Sequence, residues 1–178
     1  MSIVVVGSLA FDSLETPYGK REQALGGSAN YFSIASAFFT HVKLCAVVGE
    51  DFPQEHVDRL HKRGIDSAGL VTKPGKTFHW KGRYGLDLNE AQTLDTQLNV
   101  FAGFDPVLPE TYRDADTVFL ANIDPTLQKR VLEQVKAPTL VGLASLQMWL
   151  HPKKPELESA MHGVDVVFMN EGEARLFS

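Results

Sequence analysis

Five short apolar runs, at 3–6, 42–48, 117–121, 139–143 and 165–169, recur along the chain, most of them followed by a segment of helical spacing. The first, Ile3-Val4-Val5-Val6, is continuous rather than alternating. A strand that is apolar at every position is covered on both faces, as in a parallel sheet. Residues 28–39 are apolar on most sides and rich in alanine and serine, which predicts a buried helix. After the second run, Gly49 closes the strand and Pro53 suits the first turn of a helix. That helix turns Val57 and Leu60 inward and stops at Gly64. Further helices are predicted over 125–135 and 155–161, and from about Glu171. Strands alternating with helices predict an α/β fold with a doubly wound, mostly parallel sheet.

The rhythm lapses after Ile65. Residues 68–104 break into short β-prone pieces at Pro74-Gly75, Gly82, Gly85 and Gly103, and Phe78, Trp80 and Tyr84 alternate with polar neighbours. This predicts a small antiparallel excursion from the main sheet. A chain of 178 residues fits one domain with a sizeable core. Its net charge is -5 with Lys and Arg scattered, which gives no footprint for nucleic acid or an anionic membrane. No signal peptide is read at the N-terminus, and no run is long enough to span a bilayer. Cys45, the single cysteine, lies in an apolar run and reads as a core residue, which suits a reducing cytoplasm. The last helix is barely two turns long, so residues 1–178 are expected to be an incomplete domain truncated at its C-terminus.

Open α/β sheets bind ligands beyond the carboxyl ends of their strands. Polar residues gather at those places: Gly7, Ser8 and Asp12 after the first run, Asn122 and Asp124 after 117–121, and Asn170, Glu171 and Glu173 after the last. Their convergence points to a site, while polar loops and helix caps account for them equally. Gly26-Gly27-Ser28-Ala29-Asn30 precedes a helix. Two glycines admit a close ligand, a helix start exposes N–H groups, and the Asn30 amide both donates and accepts. The same residues read as a turn capped by Ser28. Asn170 and Glu173 have capping-box spacing, which explains them without function; the functional reading sets the carboxylate near a metal-bound phosphate. The six histidines show no ligand spacing. No GxGxxG follows the first run, and no Walker loop, GxSxG or HExxH occurs.

Taken in series, five segments resemble the N-terminal portion of the ribokinase-like (PfkB) family of carbohydrate and nucleoside kinases. They are Val5-Val6-Gly7-Ser8-Leu9-Ala10-Phe11-Asp12, Gly26-Gly27-Ser28-Ala29-Asn30, Val47-Val48-Gly49-Glu50-Asp51-Phe52, Gly64-Ile65-Asp66 and Asn170-Glu171-Gly172-Glu173. The resemblance implies phosphorylation of a primary hydroxyl on a sugar or nucleoside, with ATP and Mg2+ as cofactors. By that resemblance Asp12, Gly26, Gly27 and Asn30 hold the substrate. Asn170 and Glu173 lie near the ATP phosphates and the metal without ligating it directly. Segments at about 13–25 and 76–104 form a β lid, which in many relatives also makes a homodimer contact.

The departures carry weight. The family's catalytic base lies in a Gly-Ala-Gly-Asp motif that this sequence does not contain, so the chain alone is expected to be inactive. Ser28 stands where relatives usually carry Gly, Ala or Pro, and Pro53 replaces a usual Gly. Ala144-Ser145 follows the strand after which many relatives carry Asp. The competing expectations are a naturally short, non-catalytic polyol-binding or assembly protein, and a generic nucleotide-binding α/β domain.

Overall fold

The N-terminal run forms β1 (Ser2–Val6), with Val4, Val5 and Val6 fully buried. Its side chains enter two cores alternately: Val4 and Val6 join one, Ile3 and Val5 the other. From Ile3 to Val6 both faces are covered, so none of these positions suits a polar residue. The structure is a computed structural model that describes residues 1–86, 88 and 91–178.

A hairpin of β2 (Ala10–Thr16) and β3 (Gly19–Gly26) follows, then α1 (Ser28–Ser36), β4 (His41–Gly49), α2 (Gln54–His61) and β5 (Asp66–Lys73). Next come β6 (Phe78–Tyr84), β7 (Ala91–Gln97) and two 3-10 turns, Asn99–Gly103 and Glu110–Tyr112. The remaining order is β8 (Thr117–Leu120), α3 (Pro125–Leu132), β9 (Leu140–Ala144), α4 (Gln147–Leu150), α5 (Lys154–Met161), β10 (Val166–Phe168) and α6 (Glu171–Phe177).

Among the described residues the main sheet has the order β10-β9-β8-β1-β4-β5, with every pair parallel. The chain winds from β1 out to β5 on one side, then from β8 out to β10 on the other, reversing between β1 and β8. Ala29 of α1 and Leu60 of α2 pack with Val5, Leu44 and Phe119. Val131 of α3 and Leu157 and Ala160 of α5 pack with Val4, Val118 and Leu143. Helices therefore cover opposite faces, as the doubly wound expectation requires.

Two expectations are corrected. The segment after Ile65 was expected to leave the main sheet, yet β5 pairs with β4 from Cys45↔Gly69 to Gly49↔Lys73. It is an edge strand with half of its residues exposed, so its composition resembles a solvated hairpin rather than a buried strand. The small sheet was expected to be antiparallel and is mixed, in the order β3-β2-β6-β7 with β2 and β6 parallel. Those two strands come from different excursions, so no tight turn obliges them to be antiparallel. Its strands run over 10–26 and 78–97, the first beginning three residues before the expected segment at 13–25 and the second within that at 76–104; residues 87, 89 and 90 lie outside the described residues.

One joint, centred on the buried Thr77, ties the two sheets. Asp51 Oδ1 accepts from the Thr77 N–H and the Thr77 hydroxyl, both at 2.7 Å, and Thr77 Oγ1 accepts from the Gly49 N–H at 3.0 Å. Asn99 Nδ2 donates to the Thr77 carbonyl at 3.0 Å. The end of β4, the entry to β6 and the exit from β7 thus meet at Thr77. Asp51→Ala orphans both Thr77 donors and is expected to lower stability by about 2 kcal/mol. In urea the midpoint should fall with an unchanged slope; an unmoved midpoint would show that the joint carries no stability.

Candidate functional site

The carboxyl ends of β1 and β8 flank the point where the winding reverses, the crevice in which open α/β sheets take ligands. Two hydroxyls tie it together. Ser8 Oγ lies 3.2 Å from Ser28 Oγ and accepts from the Ser28 N–H at 3.2 Å. Ser28 Oγ accepts from the Asn122 N–H at 2.9 Å. Ser28 was one candidate for the helix cap, but Gly27 occupies the cap position and makes no side-chain bond. The Ser28 hydroxyl instead joins α1 to the loops after β1 and β8.

Asp12 sits inside β2 rather than in the loop after β1, so strand geometry and not loop placement fixes its direction. Its carboxylate lies against the backbone of Gly26: a Cβ there would come 1.9 Å from Asp12 Oδ2. Gly27 has φ of 94°, and a Cβ on it would come 2.3 Å from the Ser8 carbonyl oxygen. The glycine pair is therefore demanded by space and by a left-handed backbone. Burial outweighs the opposing effect of the Gly27 backbone and raises the Asp12 carboxyl from 3.8 to about 6. Asn30, in the first turn of α1, is 2% exposed, and its Oδ1 has no hydrogen-bond partner among the described residues. A buried acceptor without a donor is costly unless something fills it.

Asn170 and Glu173 form the capping box that their spacing predicts. The Glu173 N–H donates to Asn170 Oδ1 at 2.8 Å, and the Asn170 N–H to Glu173 Oε2 at 3.3 Å. Glu173 is 6% exposed and its Oε2 also accepts from the Ser145 hydroxyl at 2.8 Å. β10 stands three strands from β1, roughly 14 Å across the sheet. The two groups of candidate residues thus share one edge of the sheet without forming a single cluster.

Three further groups complete that edge. Gln128 Nε2 donates to the carbonyls of Ala121 at 3.0 Å and Ala144 at 3.2 Å, stitching the ends of β8 and β9. Asp124 caps α3 through the Thr126 N–H at 2.9 Å and pairs with Lys153 at 2.5 Å. Burial acts to raise its carboxyl, but Lys153 and Thr126 outweigh burial and hold it below the usual value. Asn122 Oδ1 accepts from Trp149 Nε1 at 2.9 Å. Sequence reasoning missed Gln128 and the part taken by Ser145. The one available signal for Gln128 was a polar residue three positions before Val131, on the inner face of its helix.

No family model matches the sequence. The chain is 28% identical over 181 residues to a cytidine kinase of Thermococcus kodakarensis, covering 100% of this chain and 64% of that protein. It is similar in structure to a Methanocaldococcus jannaschii nucleoside kinase, an archaeal member of the ribokinase family. There the TM-score is 0.73 and the identity 18%, covering 99% of this chain and 63% of the other. It is also similar to a Burkholderia thailandensis nucleoside kinase in complex with ADP-inosine. That match has a TM-score of 0.78 and 14% identity, covering 98% of this chain and 62% of the other. The chain spans a little under two thirds of the length of each of these proteins.

Proposed function

We infer that this chain, which has the ribokinase-like α/β fold, is the substrate-binding portion of an ATP-dependent kinase acting on a primary hydroxyl of a sugar or nucleoside. The observation that carries this reading is the half-buried Asp12 carboxylate, set against the backbone of Gly26 beside the start of α1. Sugar hydroxyls donate readily to a carboxylate. Asp12 accepts from them, the unpartnered Asn30 Oδ1 offers a second acceptor, and Gly26 and Gly27 let the ligand reach the backbone. The sheet of β2, β3, β6 and β7 serves as the lid over the substrate, and the same sheet makes the homodimer contact.

ATP supplies the phosphoryl group. Asn170 and Glu173 stand near its phosphates, with Glu173 held by Ser145 and by its own cap. Among the described residues no group of three or more His, Cys, Asp or Glu is placed to hold a metal. A Mg2+ brought with ATP would neutralise phosphate charge, and Asn170 and Glu173 would be the side chains beside it. No Gly-Ala-Gly-Asp segment occurs in the 178 residues, so they bind substrate without turning it over. No helix of the described residues is long and apolar enough to cross a membrane, and the buried single cysteine suits the cytoplasm.

Calorimetric titration without ATP tests the reading. D-ribose or cytidine should bind the wild-type chain and fail to bind Asp12→Ala, whose circular dichroism should remain that of the folded protein. Equal affinity in the two proteins would remove Asp12 from the site. Sedimentation of the wild-type chain should show twice the monomer mass; a monomer at high concentration contradicts the lid contact.

A further inference from the structure

Trp80 shares a face of the small sheet with Asp12. The two are register partners in the parallel β2–β6 pair, and register partners project from the same side. Their side chains lean apart along the strands. Asp12 lies against Gly26, the partner of Ala10, whereas the indole lies along β6 over Gly82, the partner of Leu14. A Cβ on Gly82 would come 2.1 Å from the six-membered ring. The ring therefore rests on bare backbone, and its Nε1 donates to Thr93 Oγ1 of β7 at 3.2 Å. It is half-buried, so part of it meets solvent.

A half-buried carboxylate and a flat ring held in place further along the same face suit a ligand with two parts, a polyol and a planar group. A free pentose engages only the first. We propose that Trp80 is the specificity-determining residue of this site, the surface on which the planar base of a nucleoside stacks. The assignment rests on Asp12 as the anchor for the sugar hydroxyls. Tyr84 projects from the same face two positions beyond Gly82, and Tyr31 follows Asn30 on α1. Stacking of a base on an aromatic side chain strengthens binding by about tenfold or more.

The test compares D-ribose and cytidine by calorimetry in the wild-type chain, Trp80→Phe and Trp80→Leu. Wild type should bind cytidine about tenfold tighter than ribose. Trp80→Phe should keep most of that preference. Trp80→Leu should bring cytidine to the level of ribose while leaving ribose affinity unchanged. In the unmodified protein, Trp80 ring-proton resonances should move upfield with cytidine and stay in place with ribose, a readout independent of how the leucine variant folds. Equal affinities for the two ligands in wild type, or ring protons that ignore cytidine, overturn the proposal. Failure of the anchor is distinguishable, because both ligands would then bind Asp12→Ala as well as wild type. Absence of all binding by the wild-type chain overturns anchor and platform together.

Discussion

Gly27→Ala is expected to unfold the chain, whereas Gly26→Ala should leave it folded with the ligand site emptied. The two positions are adjacent and the substitutions identical, so the contrast isolates what each glycine does. At Gly27 the backbone has φ of 94°, and the new Cβ would come 2.3 Å from the Ser8 carbonyl oxygen and 2.8 Å from Leu9 Cα. Both obstacles are backbone, in a segment where Ser8 and Leu9 are buried. A backbone at φ 94° and ψ 139°, which residues with a side chain rarely adopt, adds roughly 1–3 kcal/mol to the clash. A cost of several kcal/mol is a large share of the total stability of about 5–15 kcal/mol. At Gly26 the nearest obstacle is Asp12 Oδ2 at 1.9 Å, the end of a side chain that can swing away. The fold survives, but the carboxylate leaves its place. Losing charge-assisted bonds of about 1.5–3 kcal/mol weakens ligand binding roughly 10- to 150-fold. Thermal melting and titration read the two effects separately. A Gly27→Ala protein that melts within about 2 °C of wild type would show that the backbone there is free to relax.

Asp12→Asn should stabilise the protein at neutral pH while abolishing substrate binding. Burial raises the Asp12 carboxyl from 3.8 to about 6, with the Gly27 backbone bond acting against it. The native state therefore holds this proton more tightly than the unfolded chain does. Stability is greatest where both states are protonated, falls as pH rises from about 4 to about 6, and stays reduced above that. The penalty at pH 7 is on the order of 2–3 kcal/mol, and the neutral amide avoids it. A chain of this size should then melt roughly 5–10 °C higher at pH 7. The difference should close on acidification from pH 6 to pH 4. A melting difference that is constant with pH, or that widens in acid, would show that Asp12 is not held ionised against its burial. A carboxylate kept at a cost to the fold is the pattern expected of a functional group.

The strands covered on both faces were legible because burial leaves a continuous apolar run; β1 and β4 lie within a residue or two of the runs that predicted them. β5 was not, because an edge strand carries polar residues and reads like a solvated hairpin. The mixed order of the small sheet was hidden for another reason. Neighbours such as Asp12 and Trp80 are 68 residues apart in the chain, and no local pattern records a pairing that tertiary contacts decide. The Asn170–Glu173 box was legible from spacing alone, since a cap is a local structure. The bond from Ser145 to Glu173 spans 28 residues and exists only once β9 and β10 lie side by side. The glycine pair was visible as two letters. What makes it necessary, a carboxylate against one residue and a carbonyl against the other, is a fact of three dimensions.

The central claim is that a polyol binds between Asp12 and the start of α1. Mapping amide resonances during titration of the wild-type chain with D-ribose and cytidine tests it most directly. The account predicts shifts concentrated at Asp12, Gly26, Gly27 and Asn30, with cytidine extending them along β6 to Trp80. Shifts confined to other parts of the sheet edge, or none at saturating ligand, would contradict it.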